Sequence, residues 1–233
     1  ADNGSCAATG VALGTPVTGD NCGVASVTNN APASYPVGST TVTWTVTDIH
    51  GNSTTTTQVV TVTDNQNPTI GGLSAITVNA DNGSCAATGV VLGTPVTGDN
   101  CGVASVTNNA PASYPVGSTT VTWTVTDIHG NSSTTTQVVT VTDNQNPTIS
   151  GLSPISVNAD NGSCAATGVV LGTPVTGDNC GVASVTNNAP ASYPVGSTTV
   201  TWTVTDIHGN STTTTQVVTV TDTQAPTVLV KNI

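Results

Sequence analysis

"TTVTWTVTD" (Thr119–Asp127) alternates without a break. Val121, Trp123 and Val125 fall on one face of an extended chain while Thr122, Thr124 and Thr126 fall on the other, the pattern of a strand with one side in a core. The same nine residues stand at Thr40–Asp48 and Thr198–Asp206, which sets a repeat of 79 residues. A period this long is a small domain rather than one turn of a solenoid. The chain therefore reads as three near-identical copies, differing at positions such as Ala12 against Val91 and Val170.

Composition agrees with strands. Thr and Val dominate, and both are stiff at χ1 and pack well on a pleated surface, whereas Glu, Arg, Met and Phe are absent. One Lys against twelve Asp gives a formal charge of -11. Such a balance argues against nucleic acid, whose phosphates need Lys and Arg, and against anionic membrane surfaces. It favours solubility and divalent cations. No apolar run reaches the length of a membrane helix, and Ala1 matches Ala80 and Ala159 inside the copies, so position 1 is not expected to start the translated chain. Six cysteines, two per copy at constant spacing, in domains with few large apolar side chains predict disulfides and an oxidising, extracellular compartment.

Around the alternating strand, the middle copy reads as "AITVN" (Ala75–Asn79), a strand through Val90 to Leu92, a loop "GTPVTGDNCG", a strand "VASVTNN", a turn "APASYPVGS", and a last strand after the turn "IHGN". Short strands with turn signals between them specify a small antiparallel sandwich of immunoglobulin type. The fold class expected is all-β: tandem immunoglobulin-like sandwiches arranged as an elongated rod or fibre. Trp44, Trp123 and Trp202 are the large aromatics expected to anchor the cores.

The stretch "GDNCGVASVTNNAPASYPVGSTTVTWTVTDIHGNSTTTTQVVTVTD" resembles the hyalin repeat (HYR) domain, an immunoglobulin-like module of extracellular adhesion proteins. The resemblance covers the whole chain in three copies. With the even count and constant spacing, it implies bridges within each copy: Cys6 to Cys22, Cys85 to Cys101 and Cys164 to Cys180. A second cysteine pair usual in the family is missing, with Gly72 and Thr135 in the middle copy, and Gly151 and Thr214 in the third, at its positions.

In this register residues 1–67 are a sandwich lacking its first strand, while 68–146 and 147–225 are complete. Residues 226–233 are a first strand with no domain behind it, either the start of a following domain or a donor strand for the next subunit. Val228, Leu229, Val230 and Ile233 are its apolar candidates. A strand added to a vacant edge supplies main-chain hydrogen bonds, and a head-to-tail contact of that kind produces a filament. The alternative is a window from a longer repetitive chain.

Candidate chemistry is sparse. Asp64, Asn65 and Asn67 at one junction, and Asp143, Asn144 and Asn146 at the next, are oxygen ligands suited to a hard cation such as Ca²⁺. A linker of Asx turns and a proline is the competing reading. His50, His129 and His208 occur once per copy in a turn, beside no nucleophile or orienting partner, so they read as solvated turn residues. The cysteines lack CxxC spacing. Asn3, Asn52, Asn82, Asn131, Asn161 and Asn210 head Asn-x-Ser/Thr triplets in predicted surface turns, where glycans attach.

These readings converge on a non-enzymatic, secreted structural protein with no cofactor beyond Ca²⁺ at the junctions. Its partner is itself, as a head-to-tail homopolymer or as the continuation of one long chain. The alternative is an adhesin segment whose domains bind surface glycans, which a contiguous aromatic platform would favour.

Overall fold

The computed structural model describes residues 1–230, and every regular element among them is a β-strand. The first copy holds β1 (Ala7–Thr9), β2 (Val24–Asn29), β3 (Ser34–Pro36), β4 (Gly38–Asp48) and β5 (Ser53–Val62). The middle copy holds β6 (Thr69–Gly71), β7 (Ile76–Asn79), β8 (Ala86–Thr88), β9 (Val96–Gly98), β10 (Val103–Asn108), β11 (Ser113–Pro115), β12 (Gly117–Asp127) and β13 (Ser132–Thr142). The third holds β14 (Thr148–Ser150), β15 (Ile155–Asn158), β16 (Ala165–Thr167), β17 (Val175–Gly177), β18 (Val182–Asn187), β19 (Ser192–Pro194), β20 (Gly196–Asp206) and β21 (Ser211–Thr221).

Contacts gather these elements into two compact units. One comprises Ala1–Ile76, Val91–Ala110 and Thr120–Val138, and the other Thr77–Val90, Pro111–Thr119 and the residues from Val139 on. Each unit contains one junction between successive copies.

The third copy, in the second unit, displays the whole sandwich. One sheet has the order β15-β21-β20-β18, with β15 parallel to β21 and the other pairings antiparallel. Two ribbons, β16 with β19 and β14 with β17, complete it. Alternation on β20 and β21 sends Val200, Trp202, Val218 and Val220 inward, where they pack with Tyr193 and Ala166 from the β16–β19 ribbon. Outward, Thr201 faces Thr215 and Thr203 faces Thr213, cross-strand pairs that suit a solvated sheet surface.

A polar lock sits inside this small core. The Trp202 indole N–H donates to Gln216 Oε1 at 3.1 Å, and Gln216 Nε2 donates to the carbonyls of Ser153 at 2.8 Å and Leu171 at 3.0 Å. Gln216 is 4% exposed, so these bonds satisfy an amide that would otherwise be buried unpaired. Trp123 and Gln137 repeat the arrangement in the first unit, with Ser74 and Leu92 as acceptors.

The first copy, in the first unit, has a three-stranded sheet, β2-β4-β5, and one ribbon, β1 with β3. Its core of Tyr35, Val42, Trp44 and Val62 is correspondingly thinner. The outer edge of β5 carries no strand among the described residues, and Val17, the counterpart of Val96 and Val175, is fully exposed in coil. Pro16 to Gly19 instead border an open cleft floored by Val46 and Thr54 to Thr56. Val46 is only half-buried there, whereas Val125 and Val204 are 0% exposed.

Several short elements fall elsewhere than expected. The second strand is Ala86–Thr88 rather than Val90 to Leu92, and both "GTPVTGDNCG" and "APASYPVGS" contribute three-residue strands. Val96–Gly98 is extended because Thr69–Gly71 pairs with it, and Ser113–Pro115 because Ala86–Thr88 does.

Trp202 is 6% exposed. Trp202→Ala should therefore destabilise the third sandwich by about 3–5 kcal/mol, the range for truncating a buried aromatic, which denaturant unfolding followed by circular dichroism will measure.

Candidate functional site: the junction between copies

Two turns of each copy form its receiving end. After β12, Asp127 Oδ1 accepts the backbone N–H groups of His129 and Asn131, both at 2.8 Å, and Oδ2 accepts Asn131 Nδ2 at 2.7 Å. An Asp bonding its own following backbone is an Asx-type turn. It leaves Asn131 Nδ2 free to reach back to the Asp64 carbonyl at 3.2 Å. Before β10, Asp99 Oδ2 accepts the N–H groups of Cys101 and Gly102 at 2.7 and 2.8 Å. That loop presents Asn100, whose amide donates to the Ser5 carbonyl at 3.0 Å and to Asp64 Oδ1 at 3.2 Å.

The delivering end belongs to the preceding copy. Linker residue Gln66 holds that copy's first loop by accepting Gly4 N–H at 2.8 Å and donating to the Asp2 carbonyl at 2.9 Å. Cys6, at the end of the same loop, is bonded to Cys101 of the following copy. The second unit reproduces these parts: Cys85 to Cys180, Asn179 to Ser84 and Asp143, and Asn210 to the Asp143 carbonyl.

Pairing within copies is therefore corrected. Cys6, Cys85, Cys101 and Cys180 are bridged between copies across 95 residues, while Cys22 and Cys164 are free. The reason is strand length. The Cys6 carbonyl accepts Val37 N–H just before β4, whereas the loop of Cys22 meets Ile49 N–H just after it. An eleven-residue strand at about 3.3 Å per residue sets the two ends of β4 more than 30 Å apart. A disulfide needs Cα atoms within about 7 Å.

The histidines are corrected too. His129 Nδ1 lies 3.3 Å from Asp64 Oδ2, and His208 Nδ1 lies 3.1 Å from Asp143 Oδ2, so both face a carboxylate of the preceding linker. All three histidines are exposed, as expected of turn residues, and among the described residues His50 has no such carboxylate neighbour. Linker distance in sequence, 65 residues for His208 and Asp143, hid this pairing.

Three carboxylates converge at each junction. One oxygen each from Asp64, Asp99 and Asp127 lies within 4.8 Å of the others, and Asp143, Asp178 and Asp206 repeat the cluster. Asp64 and Asp143 side chains are fully buried. Asp64 Oδ2 and Asp99 Oδ1 have no hydrogen bond, the His129 ring facing Asp64 outside hydrogen-bonding geometry. The Gln66 backbone N–H, aided by the Asn100 side chain and His129, holds Asp64 below the usual carboxylate pKa against its burial and the charge of Asp127. At Asp127 and Asp206 burial pushes upward, but the Asn131 and Asn210 side chains and the turn's backbone N–H groups outweigh it and leave both values lowered. Of the residues expected to hold a cation, Asp64 and Asp143 sit in these clusters. Asn65, Asn67, Asn144 and Asn146 are exposed, and Asn67 and Asn146 line open clefts with Asp99 and Asp178.

Comparison with known proteins places the chain near the hyalins. It is 34% identical to the hyalin of Strongylocentrotus purpuratus over 210 residues, 84% of this chain and 17% of the relative. It is 34% identical to the hyalin of Lytechinus variegatus over 230 residues, 91% of this chain and 43% of the relative. The chain thus spans less than half of either protein and carries a hyalin-like domain. No family profile matches it. Among solved structures, Drosophila N-cadherin EC1-4 aligns at TM-score 0.38 and 10% identity over 82% of this chain and 59% of that one. Protocadherin Gamma C5 EC1-3 aligns at 0.38 and 13% over 78% and 77%. Scores this low equate no element of the chain with an element of those structures.

Two measurements check the junction. Non-reducing peptide mapping should yield Cys6–Cys101 and Cys85–Cys180 and no within-copy pair. In the chain-entropy treatment a loop near 100 residues contributes about 4.7 kcal/mol, so reduction should lower stability by several kcal/mol per bridge. Because the folded pKa values of Asp127 and Asp206 are depressed, their stabilisation is complete above the unfolded pKa of about 3.9 and is lost as pH falls through the lower folded values. Melting-temperature profiles should show Asp127→Asn/Asp206→Asn below the parent by a constant margin from pH 7 to about 5, the margin closing under about pH 4.

Proposed function

We propose that the chain is a length of a non-enzymatic extracellular structural protein, a head-to-tail filament or stalk of β-sandwich copies at a cell surface or in matrix. The observation that carries this reading is the junction itself, built twice from the same bridge and the same asparagine clamps. A device repeated once per copy propagates, since each sandwich receives at one end and delivers at the other. Similarity to hyalins over most of the chain supports the extracellular setting, as do bridges that need an oxidising compartment. In this reading residues 1–67, 68–146 and 147–225 are successive domains.

The adhesin alternative lacks its platform among the described residues, because Trp44, Trp123, Trp202, Tyr35, Tyr114 and Tyr193 are all buried. For glycans, Asn3, Asn82 and Asn161 are exposed, and Asn52 is exposed with its amide bonded to Asp48. Asn131 and Asn210 already spend both amide hydrogens on the preceding linker's carbonyl and their own turn, and a sugar there would leave one N–H for the two acceptors.

Residues 226–230 support strand donation. Val228, Leu229 and Val230 are more than 80% exposed, and Ile233 lies outside the described residues. In the third copy the first strand kinks at Gly151, with φ +78°, where a Cβ would meet Val175 Cγ2 at 3.2 Å. Val230 occupies the matching position and cannot take that kink without strain, so this segment runs on straight. The cleft beside Val46 and Pro16 to Gly19 of another first copy is its proposed seat. Deleting residues 226–233 should leave single chains in analytical ultracentrifugation where the intact chain forms fibres; if both stay monomeric, strand donation is wrong.

The junction carboxylates fit a hard cation. Asp64 Oδ2 and Asp99 Oδ1 are buried acceptors without donors, Asp127 stands beside them, and a set made of oxygens suits Ca²⁺. Calcium at 100 times its dissociation constant would add about 2.7 kcal/mol. Adding it to chelator-treated chain should raise the melting temperature, and Asp99→Asn/Asp178→Asn should abolish the shift; a parent that does not respond rules the cation out.

A further inference from the structure

The two free cysteines are not equivalent. Cys164 matches Cys6 and Cys85, which each deliver a bridge forward, and Cys22 matches Cys101 and Cys180, which each receive one. Both are exposed, whereas their bridged counterparts are partly buried. Each also sits in a half-built junction. Around Cys22, Asp20 Oδ2 already accepts the N–H groups of Cys22 and Gly23, as Asp99 does for Cys101 and Gly102. Asn21 Nδ2, however, meets only Cys22 Sγ, where Asn100 and Asn179 also grip a preceding copy. Around Cys164, Gln224 accepts Gly162 N–H, as Gln66 does for Gly4, so the delivering loop is formed.

We infer that the Cys22 position receives and the Cys164 position delivers a bridge of the kind seen twice within the chain, so that two 233-residue chains brought end to end are joined from Cys164 of one to Cys22 of the other. This rests on the head-to-tail reading above and adds a covalent bond to it. The remaining partners follow by register. Asn21 would donate to the carbonyl of Ser163 and to Asp222 of the preceding chain, and Asn52 to the Asp222 carbonyl, as Asn100 and Asn131 do with Ser5 and Asp64. Asp222, Asp20 and Asp48 would bring together the third set of carboxylates. Of these, Asp48 is partly exposed in the first copy, where Asp127 and Asp206, each covered by the copy before, are 2% exposed.

The bond requires a two-electron oxidant, and a low-molecular-weight disulfide serves. The Cys164 thiolate attacks one sulfur of that disulfide, releasing one small thiol and leaving a mixed disulfide on Cys164. The Cys22 thiolate of the second copy then attacks Cys164 Sγ and releases the second small thiol. Two protein thiols are oxidised, one small disulfide is reduced to two thiols, and the two protons pass to the released thiolates. Alignment of the two ends by the asparagine clamps makes this pairing faster than random exchange.

The test uses the purified 233-residue chain, oxidised with a glutathione disulfide/thiol couple. A ladder of multimers should appear on non-reducing gels, with a linked Cys22–Cys164 peptide by mass spectrometry. Cys22→Ser and Cys164→Ser should each lose the ladder alone, and an equimolar mixture of the two should give covalent dimers and nothing larger. A symmetric dimer from either variant alone, a Cys22–Cys164 bridge closed within one chain, or no dimer from the mixture overturns the inference. Sedimentation of Cys22→Ser/Cys164→Ser separates the two claims. If that variant still assembles while the parent forms no Cys22–Cys164 bond, the bond is wrong and stacking stands; if neither assembles, both fall.

Discussion

The length of one strand governs how the copies are joined. Because β4, β12 and β20 each run eleven residues from one end of a sandwich to the other, whatever lies before them and whatever lies after them cannot touch. The two cysteines of a copy lie on those two sides. Neither can close a loop within its own domain, and each is free to meet the neighbouring copy instead. Linking across the junction constrains the unfolded chain more than a within-copy bridge would, since the loop closed has 95 residues rather than 16.

Such help matters because the cores are small. One tryptophan, one tyrosine and a few valines per copy are the buried apolar groups of any size. A buried aromatic removes roughly 150–250 Å² from water, or about 4–6 kcal/mol at 25 cal/mol per Å², so the tryptophan dominates each core. The glutamine beneath it serves two ends at once: it accepts the indole N–H and fastens the loops that cover the sheet. The first copy shows what those loops and first strand contribute. There Gln58 reaches only the Leu13 carbonyl, and Val46 is left half-open.

Legibility in the sequence followed the range of the interaction. The long alternating strands were plain, because period-2 burial is written locally in Val-Thr-Trp-Thr-Val. The three-residue strands were not, since Val96–Gly98 and Ser113–Pro115 are extended only because distant segments pair with them. Gln137 and Gln216 belong to no motif, and their one local mark is that each copy has a single glutamine inside a threonine tract. The junction failed for the same reason of range. Constant spacing fixes how many cysteines a copy has, and says nothing about which end each occupies. Asp64 was singled out as an oxygen ligand, but its true companions, Asp99 and Asp127, come from turns 35 and 63 residues further on.

The same arrangement explains how a chain with one Lys and twelve Asp holds itself together. Aspartates in the interior of a copy are neutralised locally by dipoles: Asp81 takes the Thr88 N–H and hydroxyl, Asp99 two loop N–H groups, and Asp127 two more with an amide. Those bonds come with the turn and travel with it. The linker aspartates are different. Asp64 and Asp143 receive one backbone N–H from their own linker, while the following copy supplies an asparagine amide to each and sets a histidine ring against the second oxygen, hydrogen-bonded at Asp143 and only nearby at Asp64. A buried carboxylate so supplied is costly to leave without that copy, so the charge that resists compaction elsewhere becomes, at the junction, the group that demands a neighbour.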